Sequence, residues 1–202
     1  MPVQRGNIRE GGAGTMKVIV DQATVEDKVI LRNLMQLYLY DYTEFEPDEL
    51  DDHGLFSYNY LDHYWVEPGR HAFLVRADDK LAGFASVRTL ESHPGDGERY
   101  SMAEFFIMRG FRRHGVGRTV AREVFRRLPG RWEIFQDTTN SGATAFWRQV
   151  IGEYTNGHYE EAHHEEPEGS RHFHLVQTFV AREKGRSAIS GSPRTALTPR
   201  RV

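Results

Sequence analysis

Apolar and polar positions change rhythm several times along the chain. Lys17 to Val20 is a short apolar stretch that reads as a strand. Beyond it, Val29, Ile30, Leu34, Leu37 and Tyr38 recur at helical spacing, which predicts an amphipathic helix from Glu26 to about Tyr42. Gly54 to Trp65 is crowded with aromatic residues and reads as a loop or a short helix. Alternation then takes over. His71 to Ala77 and Lys80 to Leu90 predict a hairpin closed by Asp78-Asp79, and Arg99 to Met108 a further strand beyond the Pro- and Gly-bearing loop Glu91 to Glu98. Val116, Val120, Val124 and Leu128 mark one face of a helix that Pro129-Gly130 stops. Arg131 to Asp137 predicts a strand and Ser141 to Tyr154 another amphipathic helix. Tyr159 to His164 and Arg171 to Val180 predict a closing pair of strands. Local strand pairing followed by alternation with helices predicts an α/β (α+β) fold, a mixed sheet with helices on both faces.

The two ends carry no such period. Met1 to Thr15 is rich in glycine and polar residues and predicts a disordered extension, with Met16 a candidate biological start. Residues 16–180 form the expected domain, and 181–202 a disordered basic tail bearing Arg182, Lys184, Arg186, Arg194, Arg200 and Arg201. A length of 202 residues supports one domain whose core needs no metal or disulfide staple. The absence of cysteine removes a disulfide framework, a thiolate metal site and a cysteine nucleophile, and fits a reducing cytoplasm. No apolar stretch approaches the roughly 20 residues that span a bilayer, and residues 1–15 lack the apolar run of a secretory signal. A net charge of -3 argues against a general nucleic-acid binder. These features predict a cytoplasmic enzyme or binding domain.

The chemistry concentrates in Glu104-Phe105-Phe106-Ile107-Met108-Arg109-Gly110-Phe111-Arg112-Arg113-His114-Gly115-Val116-Gly117-Arg118, a strand running through a turn into a helix. The first N–H groups of a helix have no internal partner and carry partial positive charge. Gly115 and Gly117 let a ligand approach that backbone, and Arg112, Arg113 and Arg118 add full charges. The combination suits a pyrophosphate. It is neither a P-loop, for want of Gly-Lys-Ser/Thr, nor a three-glycine dinucleotide fingerprint. The plainer alternative is a solvated basic turn capping a helix.

Arg-x-x-Gly-x-Gly between an apolar strand and an amphipathic helix resembles the coenzyme A signature of the GNAT acetyltransferases, and the likeness extends over roughly Lys17 to Val180. Asn140-Ser-Gly-Ala143-Thr-Ala-Phe146-Trp147 sits where that family has an Asn, an Ala and an aromatic–Tyr pair. The wording Glu-Phe-Phe-Ile, Pro129-Gly130-Arg-Trp132-Glu and Phe146-Trp147-Arg-Gln-Val-Ile151 is similar to a bacterial subgroup of GNAT proteins without an assigned substrate. The resemblance implies a mostly antiparallel sheet of about six to seven strands, splayed at a cofactor cleft. It implies acetyl-CoA as co-substrate, no metal, and transfer of acetyl to a primary amine of a small molecule. Backbone around Arg113, His114, Gly115, Val116, Gly117 and Arg118 would hold the pyrophosphate. The backbone of Phe106, Ile107 and Met108 would pair with the pantetheine arm, and an N–H near Ile107 would polarise the thioester carbonyl as an oxyanion forms. Members of the family often pair, so a homodimer is one expectation.

Glu104 is the candidate general base. Strict alternation puts it on one face with Met102, Phe106 and Met108, among apolar side chains that would raise its pKa. The plainer reading is a carboxylate that pairs with an Arg or an amide and orients the strand. Trp147 departs from the family pattern, because an indole N–H cannot deliver a proton at neutral pH. Tyr154 or Tyr159 could serve instead, or the thiolate leaves unaided, and Trp147 is then core packing. Asn140 can hydrogen-bond the pantetheine arm, cap the following helix, or both.

The acidic run Asp41, Glu44, Glu46, Asp48, Glu49, Asp51 and Asp52 reads as a solvated helix end or as an attractor for a cationic amine. An enclosed pocket of Tyr42, Phe45, Phe56, Tyr58 and Tyr60 would favour a small acceptor, a shallow groove a peptide. His158, His163, His164, His172 and His174 cluster near the last strands, but with no cysteine nearby the expectation is no metal. The alternative to catalysis is an acyl-CoA-binding sensor or assembly module, for which Trp147 is the motive.

Overall fold

The computed structural model describes residues 16–92, 95, 97–165 and 173–182. The expectations for residues 1–15, for the tail from 183 onward and for His172 lie outside them. A seven-stranded sheet runs in the order β1-β2-β3-β4-β5-β7-β6. Its strands are β1 (Val18–Gln22), β2 (Arg70–Ala77), β3 (Lys80–Leu90), β4 (Arg99–Ile107), β5 (Gly130–Asp137), β6 (Glu160–Glu165) and β7 (Phe173–Ala181). The helices are α1 (Lys28–Tyr42), α2 (His63–Val66), α3 (Val116–Arg127) and α4 (Ser141–Thr155). Every neighbouring pair is antiparallel except β4 and β5. Ala181, placed by composition in the tail, is the last residue of β7, pairs with Gly130 and is buried.

The sheet separates two cores. On one side α3 and α4 bury Val120, Val124, Phe125, Trp147 and Ile151 against Trp132, Ile134 and Phe179. Phe125 lies edge-on to Trp132 at 4.8 Å and to Phe179 at 4.9 Å, pairs that add about 0.5–1.5 kcal/mol each beyond their area. On the other side α1 and α2 bury Leu31, Leu34, Met35 and Tyr64 against Leu74, Phe84 and Phe106. The buried stripe of α1 is therefore Leu31, Leu34 and Met35, whereas Val29 and Leu37, which periodicity assigned to it, are exposed. The hairpin turn is as the sequence predicts: Asp78 and Asp79 both take left-handed backbone (φ 49° and 62°), the geometry of a two-residue turn that suits twisted strands.

Two irregularities prepare the site. The first lies in β4, where Ser86 faces Glu104 and Val87 faces Met102, so Ala103 is bulged out of the ladder. Beyond a bulge the side-chain alternation changes sides. Met102 thus joins the α3/α4 core, while Glu104 sits on the α1 side with Phe106 and Met108. Strict alternation had put Met102 on the face of Glu104; the bulge corrects it. The second is the parallel contact of β4 with β5, which consists of Arg99–Arg131, Tyr100–Trp132 and Ser101–Glu133 and then ends. Beyond Ser101 the two strands diverge and leave a wedge.

Candidate active site

The glycine turn opens on one side of this wedge. After β4 a single 3-10 turn, Arg109–Phe111, leads to Arg113 (φ 64°) and Gly115 (φ 80°), and α3 begins at Val116. Among the described residues, the six consecutive N–H groups of Arg113 to Arg118 donate to no carbonyl. The two glycines have different jobs. A Cβ on Gly115 would meet nothing within 4 Å, so Gly115 supplies the left-handed backbone and leaves the surface open. A Cβ on Gly117 would stand 3.2 Å from the Phe146 ring, so Gly117 lets α3 close on α4. The side chain of Val116 is buried core, which leaves only its amide to the opening. Arg113 and His114 are exposed, and Arg118 stands 3.5 Å from Glu153. Arg112 is engaged elsewhere: its Nε donates to the Ile107 carbonyl at 2.6 Å and its Nη2 pairs with Asp41. Unpartnered amides around a left-handed glycine, with cationic side chains beside them, suit a diphosphate.

The β5-facing edge of β4 borders the same wedge. Met108 N–H donates to Ala82 on β3 at 2.8 Å, so by alternation the N–H of Ile107 points the other way, into the wedge. A cavity of about 790 Å³ follows, lined by α1, the 46–48 and 58–64 segments, β4, β5 and the start of α4. Glu104 lies in it. The Tyr58 hydroxyl donates to Glu104 Oε1 at 3.1 Å, and Tyr38 adds a longer polar contact. Burial pushes the Glu104 carboxyl above its ordinary value, although Tyr38, Tyr58 and the charge of Arg88 pull the other way. Burial, with the nearby Glu104 charge, likewise holds Tyr38 and Tyr58 well above the usual phenol range. Tyr42 is pushed up to about 12 by burial and by Asp137, so it keeps its proton at neutral pH.

A model of the acetyltransferase (GNAT) family matches residues 31–152, more than half of the chain. The chain belongs to the GNAT acetyltransferases. Solved structures share the fold at low identity. An acetyltransferase from Thermus thermophilus superposes with a TM-score of 0.57 at 17% identity, covering 82% of this chain and 98% of that one. Spermidine N-acetyltransferase from Vibrio cholerae, in complex with CoA and spermine, gives 0.53 at 14% identity over 81% and 95%. Arabidopsis thaliana NAA60, in complex with acetyl-CoA, gives 0.53 at 9% identity over 81% and 98%. A comparison with curated proteins finds no match.

Within this GNAT fold the residues singled out from sequence divide into groups. Glu104 lines the cavity and the N–H of Ile107 faces the wedge, whereas Phe106, Ile107 and Met108 do not line the cavity and the N–H of Met108 is committed to β3. Asn140 caps α4, its Oδ1 accepting from Ala143 N–H at 2.9 Å, and also lines the cavity. Trp147 is buried edge-on to Phe105 and Phe146, each at 5.0 Å, with one edge reaching the cavity. Tyr154 and Tyr159 do not line it; Tyr154 packs on Phe125 at 5.3 Å, behind the sheet. Tyr42, Tyr58 and Tyr60 line it, but Phe45 and Phe56 do not. The acidic run divides too: Asp41 pairs with Arg109 and Arg112, Asp51 Oδ1 accepts from His53 and Leu55 N–H, and Glu46 and Asp48 border the cavity. No helix among the described residues is long and apolar enough to cross a membrane. Among them no three His, Cys, Asp or Glu residues are placed to hold a metal.

Tyr38, Tyr64, Arg70, Arg88 and Asp137 line the cavity without having been singled out from sequence. For Arg70 and Arg88 a signal existed in the hairpin, because a two-residue turn at Asp78-Asp79 fixes which residues face each other. A register shift between Val75 and Arg76 displaces that pairing by one, so Arg88 faces Arg70.

Proposed function

We propose that this protein is an acetyl-CoA-dependent N-acetyltransferase that transfers acetyl to a primary amine of a small molecule, by direct attack of the amine on the thioester. The observation that carries the reading is the Glu104 carboxylate, held by Tyr58 in a cavity that opens where β4 and β5 part. Acetyl-CoA supplies the activated acetyl group. The amides of Arg113 to Arg118 bind its diphosphate, and the wedge-facing edge of β4 aligns the pantetheine arm. The N–H of Ile107 donates to the thioester oxygen as negative charge grows there.

Glu104 takes a proton from the incoming ammonium, directly or through one water. A carboxyl raised by burial is a better match to that task than an ordinary glutamate. Tyr58 fixes its orientation. Tyr42 keeps its proton and can only donate a hydrogen bond, and Trp147 is packing, so the leaving sulfur draws its proton from solvent. The tyrosine-rich cavity, half open to solvent, has room and ring surface for a small acceptor.

Release of free thiol from acetyl-CoA with an amine panel tests the reading. Glu104→Gln should keep coenzyme A affinity and lose on the order of a hundredfold in rate. Tight coenzyme A binding with no turnover on any amine would favour the sensor alternative.

A further inference from the structure

The cavity around Glu104 is electrically two-sided. Glu46, Asp48 and Asp137 border it on the α1 and β5 side, whereas Arg70 and Arg88 border it at the β2–β3 end. Strand register explains the second group. Arg70 is the β2 partner of Arg88, and Arg88 is the β3 partner of Ser101. These residues form one row across the sheet. The next row, two residues along β3, is the pair Ser86–Glu104, a separation of about 7 Å.

The two arginines differ in what they already hold. The Arg70 Nε stands 3.1 Å from Glu67 Oε2, and its guanidinium lies over the Tyr64 ring at 5.8 Å. Arg88 forms no ion pair or hydrogen bond with a described residue, and its charge acts on the Glu104 carboxyl, whose pKa it lowers. The carboxylates around it are engaged: Glu67 with Arg70 and His63, and Glu133 with Arg99. Glu104 is one row away and bound by Tyr58. Between the rows, the Tyr64 hydroxyl is buried near Ser86 and Tyr58 and makes no full hydrogen bond with either. A guanidinium that borders a cavity and is tied up in no ion pair is a fork for an oxyanion.

We propose that the acceptor carries a carboxylate or a phosphate beside the amine that is acetylated, and that Arg88 binds this anion. The inference rests on Glu104 as the base, because that assignment fixes where the amine sits. With about 7 Å between the rows, and Arg88 lining the same cavity as Glu104, amine and anion lie a few bonds apart. This describes an amino acid or an aminoalkyl phosphate. A polyamine would set a second ammonium against Arg88, which opposes it. The acidic side of the cavity draws in the ammonium end, and Arg88 with Arg70 orients the anionic end.

Matched acceptors test this: tyrosine against tyramine, phosphoethanolamine against ethanolamine, and spermidine as the polycation. The anionic member of at least one pair should be acetylated with kcat/KM about tenfold or more above its partner, the size of one charge-assisted hydrogen bond. Whichever pair shows it identifies carboxylate or phosphate. Arg88→Gln should erase the preference, read as the ratio of kcat/KM within each pair, because loss of the charge beside Glu104 acts on both members of a pair alike; the exposed position spares the fold, which circular dichroism checks. Equal rates within both pairs, spermidine as the best acceptor, or a preference that survives in Arg88→Gln would overturn the proposal. Glu104→Gln separates the two readings, since it should slow every amine whether or not the anion matters. If nothing turns over, calorimetry of the same compounds against the coenzyme A-loaded protein decides. Weaker binding of tyrosine and phosphoethanolamine to Arg88→Gln supports the anion site, and unchanged binding refutes it.

Discussion

Asp41, at the end of α1, pairs with the guanidinium of Arg112, which also donates to the carbonyl of Ile107 at 2.6 Å. Arg109 joins the same carboxylate at 2.7 Å. One acidic side chain therefore ties α1 to the end of β4 and to the turn whose free amides face the wedge. The pattern Arg-x-x-Gly-x-Gly suggests an arginine beside the phosphates; here its arginine, Arg112, also shapes the turn.

Asp41→Asn should consequently act on stability and, through the turn, on coenzyme A affinity. The partners are partly exposed, so the loss should be roughly 1 kcal/mol. Burial would raise the Asp41 carboxyl, but Arg112 and Arg109 outweigh it and hold it below its ordinary value. A depressed carboxylate stabilises fully above its unfolded pKa of about 3.9, and the contribution fades as pH falls through the lower folded value. Melting curves should show a gap between wild type and variant at pH 7 that closes in strong acid. A gap independent of pH would assign the effect to packing.

The two glycines should fail differently. Gly115→Ala places a side chain at φ 80°, a strain of about 1–2 kcal/mol, without any clash. Its methyl stands where the diphosphate is proposed to lie, so calorimetry should find coenzyme A binding weakened about tenfold. Gly117→Ala presses on Phe146, which is itself stacked on Phe105 at 5.6 Å and cannot retreat freely. Overpacking of this kind costs about 1–3 kcal/mol, and Phe146→Leu in the same chain should recover part of it. An undisturbed melting temperature in Gly117→Ala would remove the packing role.

Much of the fold was legible because its elements are long enough to show their period. The hairpin, the two helices flanking β5 and the glycine turn all stand where the pattern puts them. What escaped depends on distant partners. The bulge at Ala103 exists only in the pairing of β4 with β3, and it alone moves Met102 away from the face of Glu104. The burial of Leu31 rather than Val29 depends on how α1 rolls onto the sheet, which a run of apolar residues on nearly every side of the helix leaves open. Tyr58 and Glu104 are 46 residues apart, and no local rule joins them. Arg88 looks like an ordinary strand charge until β2 and the wedge are in place around it.

The same Tyr58–Glu104 bond gives the pH dependence its sign. Glu104 must be ionised to accept a proton, so kcat/KM should rise with pH as it titrates. Burial sets that rise above the ordinary glutamate value of about 4.3. Tyr58 hydrogen-bonds the ionised form and holds the pKa down against burial. Tyr58→Phe removes that donor, so the rising limb should move to higher pH while the plateau changes less. In Glu104→Gln the limb should vanish together with most of the rate. A limb that stays at the same pH in Tyr58→Phe would mean that another group titrates, and Glu104 would then be only a strand anchor.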